Sequence, residues 1–480
     1  MARTPAALAL VLVALAAVVF VSGGSPADPR TPPALPGLPP PFMTATVVGD
    51  GGLAAGIDAY GDVVDLRAPG PADAALIDNP SQRQAAGTVP AATGIVPLVS
   101  MGGRQPRPLW RADSVRQRYL PGTNVLRTVA RFGAARVAIE CAAEGGALGC
   151  ASTAPEGEVS FRRNLHGGGR RVHLDDGRAG RIVSEAATED RSWLGRALPL
   201  GSGAPPWAQR LYERSLLVMR ALTSRDGAVA AGARDGWAHV WPRDAGAVAI
   251  ALAAAGYREE ARRIARFLLG LDLAAAARFD GAGKPVDGRD AQGDAAGWVD
   301  AAAGAAGLAA RVPRLDWRNR ADYQEKSPGD YLGNAIASRG SRSELHRLFL
   351  LSGLDSAAAW AVRPFPRPAL FPAARRTLLG LAATSTRFGI VPSADWPEDD
   401  PWTAPTAWSA WSLAALGERR ASLRLLADLR RAATTAGLLP ERVDARNGVP
   451  RSTTPLAWSH AFAALALRQL WPGRRQRESQ

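Results

Sequence analysis

Asp235-Gly-Trp-Ala-His-Val-Trp-Pro-Arg-Asp244, running directly into the apolar stretch Ala245–Ala255, is where the reading of this chain starts. Two Trp, an Arg and an Asp are pressed together just ahead of a helical run. Planar rings cover the apolar C–H faces of a sugar ring, and a bidentate donor beside a carboxylate acceptor satisfies hydroxyls once water is excluded. Trp237, Trp241, Arg243 and Asp244 are therefore candidate ligand-binding residues. The competing structural account of the same four is a buried ion pair at a helix start with Trp packed around it.

Two later segments each add a carboxylate in a comparable setting. One is Asp322-Tyr-Gln-Glu-Lys-Ser-Pro-Gly329; the other is Gly437-Leu-Leu-Pro-Glu-Arg-Val443, followed by Pro455-Leu-Ala-Trp-Ser-His-Ala461. Between them and the first block lies Gln292-Gly-Asp-Ala-Ala-Gly-Trp298. Cleaving an acetal takes one carboxylic acid to protonate the leaving oxygen and one carboxylate to activate water, which makes Glu325 and Glu441 the catalytic candidates. A solvated loop Glu is the alternative for each, and only the surrounding motifs weigh against it.

This ordered series resembles the bacterial branch of glycoside hydrolase family 15, which includes glucoamylases, glucodextranases and some trehalases. The resemblance rests on Trp241–Asp244, Gln292–Trp298, Asp322–Glu325, Gly437–Glu441 and Pro455–Ala461, and it spans roughly residues 205–470. It implies an N-terminal β-sandwich followed by an (α/α)6 toroid. It also implies inverting hydrolysis of α-glucosides from non-reducing ends, with Glu325 as acid and Glu441 as base. Trp237, Trp241, Arg243, Asp244, Asp294, Trp402 and Trp458 would contact substrate. No cofactor is expected; the partner is a carbohydrate.

Three positions depart from that pattern. Gln324 replaces a Trp that commonly precedes the acid, and so removes an apolar wall. Trp237 stands where a Tyr is usual, and an indole donates but does not accept. Ile390, in Gly389-Ile-Val-Pro-Ser-Ala-Asp395, replaces an Arg that often contacts the next sugar. Two rival readings therefore stay open: a glycan-binding cell-envelope protein on the same fold with impaired hydrolysis, and a helical-toroid enzyme of another class.

The remaining composition narrows the field. With 47% hydrophobic and 21% charged residues the chain is globular, and its 480 residues suffice for two cores. The net charge of +14 comes almost wholly from Arg spread along the chain, the lysines being Lys284 and Lys326 alone. Without a compact basic patch interleaved with aromatics, nucleic acid is not an expected partner. The five His are scattered, so no metal site is expected.

Residues 1–25 read as a secretory signal or an N-terminal anchor, because Arg3 precedes the apolar run Ala6–Val21. An anchor of this kind would be the chain's one contact with a membrane; oligomeric state is left open. Residues 26–41, with eight prolines, read as an extended linker. Cys141 and Cys150 flank a Gly-rich turn between strand-like runs, which predicts a hairpin-closing disulfide in an exported protein. Short β-type runs from Thr44 to about Val183 predict a β-sandwich over residues 42–200. The segments Gly49–Gly56 and Arg118–Thr128 resemble the matching domain of the same family. From Pro205 the period becomes helical, as in Trp207, Leu211, Val218 and Leu222 or in Leu425, Leu426 and Leu429, so ten to twelve helices are expected within residues 201–475. Trp207 and Trp411 read as core, whereas Trp241, Trp402 and Trp458 read as loop residues able to stack on sugar.

Overall fold

The computed structural model describes residues 35–39, 41–68, 74–78, 94–166, 169–233 and 236–473. The apolar N-terminal run, most of the Pro-rich linker, and Asp235 lie outside them.

Among the described residues twelve strands precede the helices: β1 (Thr44–Gly49), β2 (Ala54–Asp58), β3 (Val63–Ala68), β4 (Ala74–Asp78), β5 (Gly94–Ser100), β6 (Arg107–Pro108), β7 (Ser114–Tyr119), β8 (Leu126–Phe132), β9 (Ala135–Glu144), β10 (Ala147–Thr153), β11 (Glu158–Asn164) and β12 (Val172–Leu174). One sheet runs β1-β2-β3-β5-β11, with β4 on β3 and β6 on β5; the other runs β12-β10-β9-β8-β7. In β7, Val115, Gln117 and Tyr119 are buried in alternation with exposed Arg116 and Arg118, the period-two pattern of a strand with one wet face. The two sheets meet through side chains that β7 sends inward. The Tyr119 hydroxyl accepts from Val47 N at 3.0 Å and donates to Val47 O at 2.6 Å, and Gln117 Nε2 donates to Asp58 O at 2.7 Å. Cys141 and Cys150 face each other across the β9–β10 hairpin and are bridged, as expected.

Eleven α-helices follow among the described residues: α1 (Gly177–Gly195), α2 (Pro206–Leu222), α3 (Pro242–Ala254), α4 (Arg258–Leu269), α5 (Ala295–Ala305), α6 (Leu332–Ala337), α7 (Arg342–Leu351), α8 (Phe371–Ala383), α9 (Thr403–Ala415), α10 (Arg419–Ala432) and α11 (Ala457–Leu470), with a 3-10 helix at Ser356–Ala361. The first of these corrects the expected β-type region, which ends at Leu174 rather than near Val183. Asp176 caps α1 by accepting from Arg178 N and Ala179 N, and Ile182, Val183, Ala186 and Ala187 then form a buried helical stripe.

Packing orders the remaining helices. α3 packs on α5, α5 on α6, α6 on Ser356–Ala361, that segment on α9, α9 on α11, and α11 back on α3. These are apolar nearly all round, whereas α4 and α10 are strongly amphipathic and pack on their outer side. Trp298, Trp360, Trp408 and Phe462 meet edge to face at 5.2–5.8 Å in the middle. Trp411 is buried as expected. Trp207 is only half-buried, since Trp471 meets its edge and the Arg430 guanidinium covers it at 4.6 Å.

The sheets sit on α2. Arg214 lies 3.7 Å over the Tyr119 ring and donates to Thr123 O and Asn124 Oδ1, while Asn124 Nδ2 donates to Leu217 O. At Gly49 a Cβ would stand 2.6 Å from Ala221 O, so only glycine lets β1 approach this close.

Candidate active site

The helix starts, not the helix middles, build the site. Trp241 is the N-cap residue of α3, with Pro242, Arg243 and Asp244 in its first turn; Trp402 is the N-cap residue of α9. Trp458 lies in the first turn of α11 rather than in a loop, which corrects that part of the sequence reading. Short bridges draw these ends together: Ala457 N donates to Ala231 O at 2.7 Å, and Thr403 N donates to Glu441 O at 3.0 Å. The ends face one cavity, walled by Trp237, Trp241, Trp402 and Trp458 with Arg243, Asp244, Glu325 and Glu441. Tyr323, Gln324 and Arg289 complete its polar lining.

Segments far apart in sequence interlock behind the wall. Arg243 Nη1 donates to Gln292 Oε1 at 2.6 Å and pairs with Asp294 at 3.3 Å, while its Nη2 lies 3.5 Å from Asp244. Gln292 Nε2 in turn donates to Asp322 O at 3.0 Å. Asp294 is fully buried behind Arg243 and does not reach the cavity wall; its work is to hold the guanidinium. Arg243 also sits 4.7 Å over the Trp458 ring. Burial pushes the Asp244 carboxyl up to about 7 against the pull of Arg243, with Glu441 and Asp294 adding repulsion.

Glu441 is placed by the strand-like bridge of its own segment, its N–H donating to Thr453 O at 2.9 Å. His460 steadies the approach. Burial holds its imidazole neutral, down to about 3, so Nε2 accepts from Leu439 N at 3.0 Å and Nδ1 faces Ser215 Oγ at 3.0 Å. The Glu441 carboxylate accepts from Trp237 Nε1 at 3.4 Å and from the Ser452 hydroxyl. Ser452 carried no motif and was missed from sequence.

Glu325 stands on a tight turn in the left-handed region, φ +58°, with its N–H donating to Asp322 O at 2.9 Å. The carboxylate accepts from Trp241 Nε1 at 3.3 Å and is in direct ionic contact with Arg289. Gln324, expected to remove an apolar wall, faces the cavity, and its Oε1 accepts from Ser393 Oγ at 3.0 Å. Ile390 is buried and off the cavity wall, its backbone bound to Thr406 Oγ1 and Trp402 N.

No protein-family model matches the chain, and no curated protein does. Among solved structures, a bacterial glucoamylase complexed with acarbose superposes over 93% of this chain and 95% of its own, at TM-score 0.64 and 12% identity. A wild-type glycosidase (19% identity, 56% of this chain, 99% of that chain, TM-score 0.46) and the glucoamylase of Saccharomycopsis fibuligera (11%, 55%, 94%, 0.43) are more partial likenesses. The full-length likeness shows a fold shared with that bacterial glucoamylase, sheets first and helices after. Among the described residues no cluster of His, Cys, Asp and Glu is arranged to hold a metal ion, and no helix is long and apolar enough to cross a membrane.

Proposed function

We propose that this protein is an inverting glycoside hydrolase that releases glucose from the non-reducing ends of an α-glucan or α-glucosidic oligosaccharide. The carrying observation is that Glu325 and Glu441, from distant segments, line one cavity together with Arg243, Asp244 and four Trp. The likeness to a bacterial glucoamylase raises the prior for this chemistry without deciding it. The succession of inner and outer helices supports an (α/α)6 toroid beside an N-terminal β-sandwich. In the proposed reaction the Trp faces cover the terminal glucose and Arg243 with Asp244 hold its hydroxyls. Glu325 gives its proton to the glycosidic oxygen as the bond to the anomeric carbon breaks. Glu441 takes a proton from the water that attacks the opposite face, which leaves β-glucose.

The apolar run Ala6–Val21 and the Cys141–Cys150 bridge support export, as a secreted or cell-surface protein. One observation favours a second reading, a glycan-binding protein with impaired hydrolysis: Arg289 is in contact with Glu325 and occupies the carboxyl that the proposed reaction needs as its acid.

A panel of α-1,4, α-1,6 and α,α-1,1 glucosides separates the two. Turnover of at least one, with β-glucose as the first product in proton NMR, is expected. In Glu441→Gln the rate should fall by roughly 10²–10⁴, the span ascribed to a general base. First-formed α-glucose would exclude inversion, and binding without turnover in the wild type would leave the glycan-binding reading.

A further inference from the structure

The leaving-group side of the cavity carries a cation that the proposed chemistry does not use. Arg289 and Glu325 are in ionic contact, and their side chains are 36% and 32% exposed, so solvent and a ligand both reach them. Arg289 ends a loop that folds back along Trp241. Ala277 N donates to Arg289 O, and Phe279 bridges both Val240 and Pro285. The same loop places the Arg278 guanidinium 5.7 Å over the Trp241 ring, tied to Gly236 O and Asp287 O. Two guanidinium groups thus stand on the Glu325 side of the cavity. The guanidinium of Arg243 is already engaged, since it is shared by the buried Asp244 and Asp294.

Chemistry makes the Arg289 contact a problem for a neutral substrate. A general acid must present its proton to the glycosidic oxygen, and a guanidinium in contact with the carboxyl occupies the oxygen that has to do so. A neutral leaving group offers the guanidinium no charge in exchange for Glu325, so it is cleaved more slowly than an anionic one. An anionic one offers it a second oxyanion partner with the same bidentate geometry.

We propose that the site is selective for α-glucosides whose leaving group bears an anionic substituent, a carboxylate or a phosphate, and that Arg289 is the residue that binds it. Binding moves the guanidinium from Glu325 to the substrate anion. Glu325 then takes a proton from solvent and passes it to the glycosidic oxygen, which keeps the electron pair of the broken bond. Glu441 accepts the proton of the attacking water, so the net reaction remains hydrolysis. The proposal rests on the α-glucoside hydrolase reading above and names the substrate class for it.

Phenyl 1-thio-α-glucosides, which are not hydrolysed, test the charge preference apart from turnover. Three differ at the 4-position alone: a neutral carboxamide, a carboxylate and a phosphonate. Calorimetry on the wild-type protein at low salt should show at least one anion binding about tenfold more tightly than the carboxamide, a gap that narrows as salt is added. Which anion gains more tells carboxylate from phosphate. In Arg289→Gln the three should bind alike, and Arg289→Lys should restore part of the gap. Equal binding in the wild type, or a preference that survives Arg289→Gln, overturns the proposal while leaving the hydrolase reading intact. Failure of all three to bind overturns the α-glucoside reading and this proposal with it.

Discussion

The two walls of the cavity treat their carboxylates alike up to one partner. On each an indole N–H points at the Glu, from Trp237 to Glu441 and from Trp241 to Glu325. The second partner is the neutral Ser452 hydroxyl on one wall and the Arg289 guanidinium on the other. A hydroxyl fixes a carboxylate's direction and leaves its remaining lone pairs open to water. A guanidinium covers the carboxylate and must be displaced before that oxygen can meet a substrate. Two residues of the same type, each with the same aromatic donor, thus differ by one neighbour.

The largest expected effect comes from the residue behind both walls. Every polar contact of the Arg243 guanidinium given above is to the protein itself, to Gln292, Asp294 and Asp244. Arg243→Ala leaves two buried carboxylates without their cation, a loss on the order of 3–5 kcal/mol. The internal contacts predict that activity and folding both suffer: kcat/KM should drop by more than about a hundredfold, and the melting temperature should fall by roughly 3 °C or more. An unchanged melting temperature would show that Arg243 serves the ligand alone.

How much of this was legible in the sequence depended on whether a residue's task lay in its own segment. Trp241, Arg243, Asp244 and Glu441 stand in compact, unusual strings, and all of them reach the cavity. Asp294 stands in such a string too, yet it lies behind Arg243, because a motif records proximity to the site and not which side of the wall a side chain takes. Arg289 and Ser452 were invisible. Each is an ordinary loop residue in a chain rich in its type, and each gains its role from a partner in a distant segment. The α1 boundary was misjudged because the Gly177 region reads like a turn until Asp176 is seen capping it. Trp207 was read as core from one apolar stripe, which could not show that α2 ends its buried face there.

A smaller effect tests the neutral wall. Ser452→Ala removes the hydroxyl that Glu441 accepts and leaves the carboxylate with the longer indole contact. A lost hydrogen bond to a charged group costs about 1.5 kcal/mol, so kcat should fall about tenfold. KM should hold, because the carboxylate acts on water and not on the ring. Ser452→Thr, which restores the hydroxyl, should recover most of the rate. A change in KM with kcat intact would place Ser452 on the substrate instead.

The smallest effect asks the same question of a carboxyl whose near partner is another carboxyl. In the sheets, Asp58 accepts from Phe42 N, Tyr60 N and Asp62 N, whereas the buried Asp62 carboxyl faces that of Asp58, to which it can hydrogen-bond only while it keeps its proton. Burial pushes Asp58 up to about 6; burial and then the Asp58 charge push Asp62 well above its ordinary value. Both folded values lie above the unfolded ones, so the folded state binds protons that the unfolded chain has released. Stability therefore falls as pH rises from about 4 through 6 and beyond, the reverse of a salt-bridged carboxylate. Asp62→Asn removes the carboxyl that folding forces to stay protonated beside Asp58 and leaves the three N–H bonds to Asp58 in place. It should stabilise the protein by about 1–2 kcal/mol at pH 8 and by almost nothing at pH 4. Melting curves of the two proteins should thus converge as pH falls. A variant less stable at pH 8, or a gap that widens toward pH 4, would mean that Asp62 is ionised and held by a charge partner.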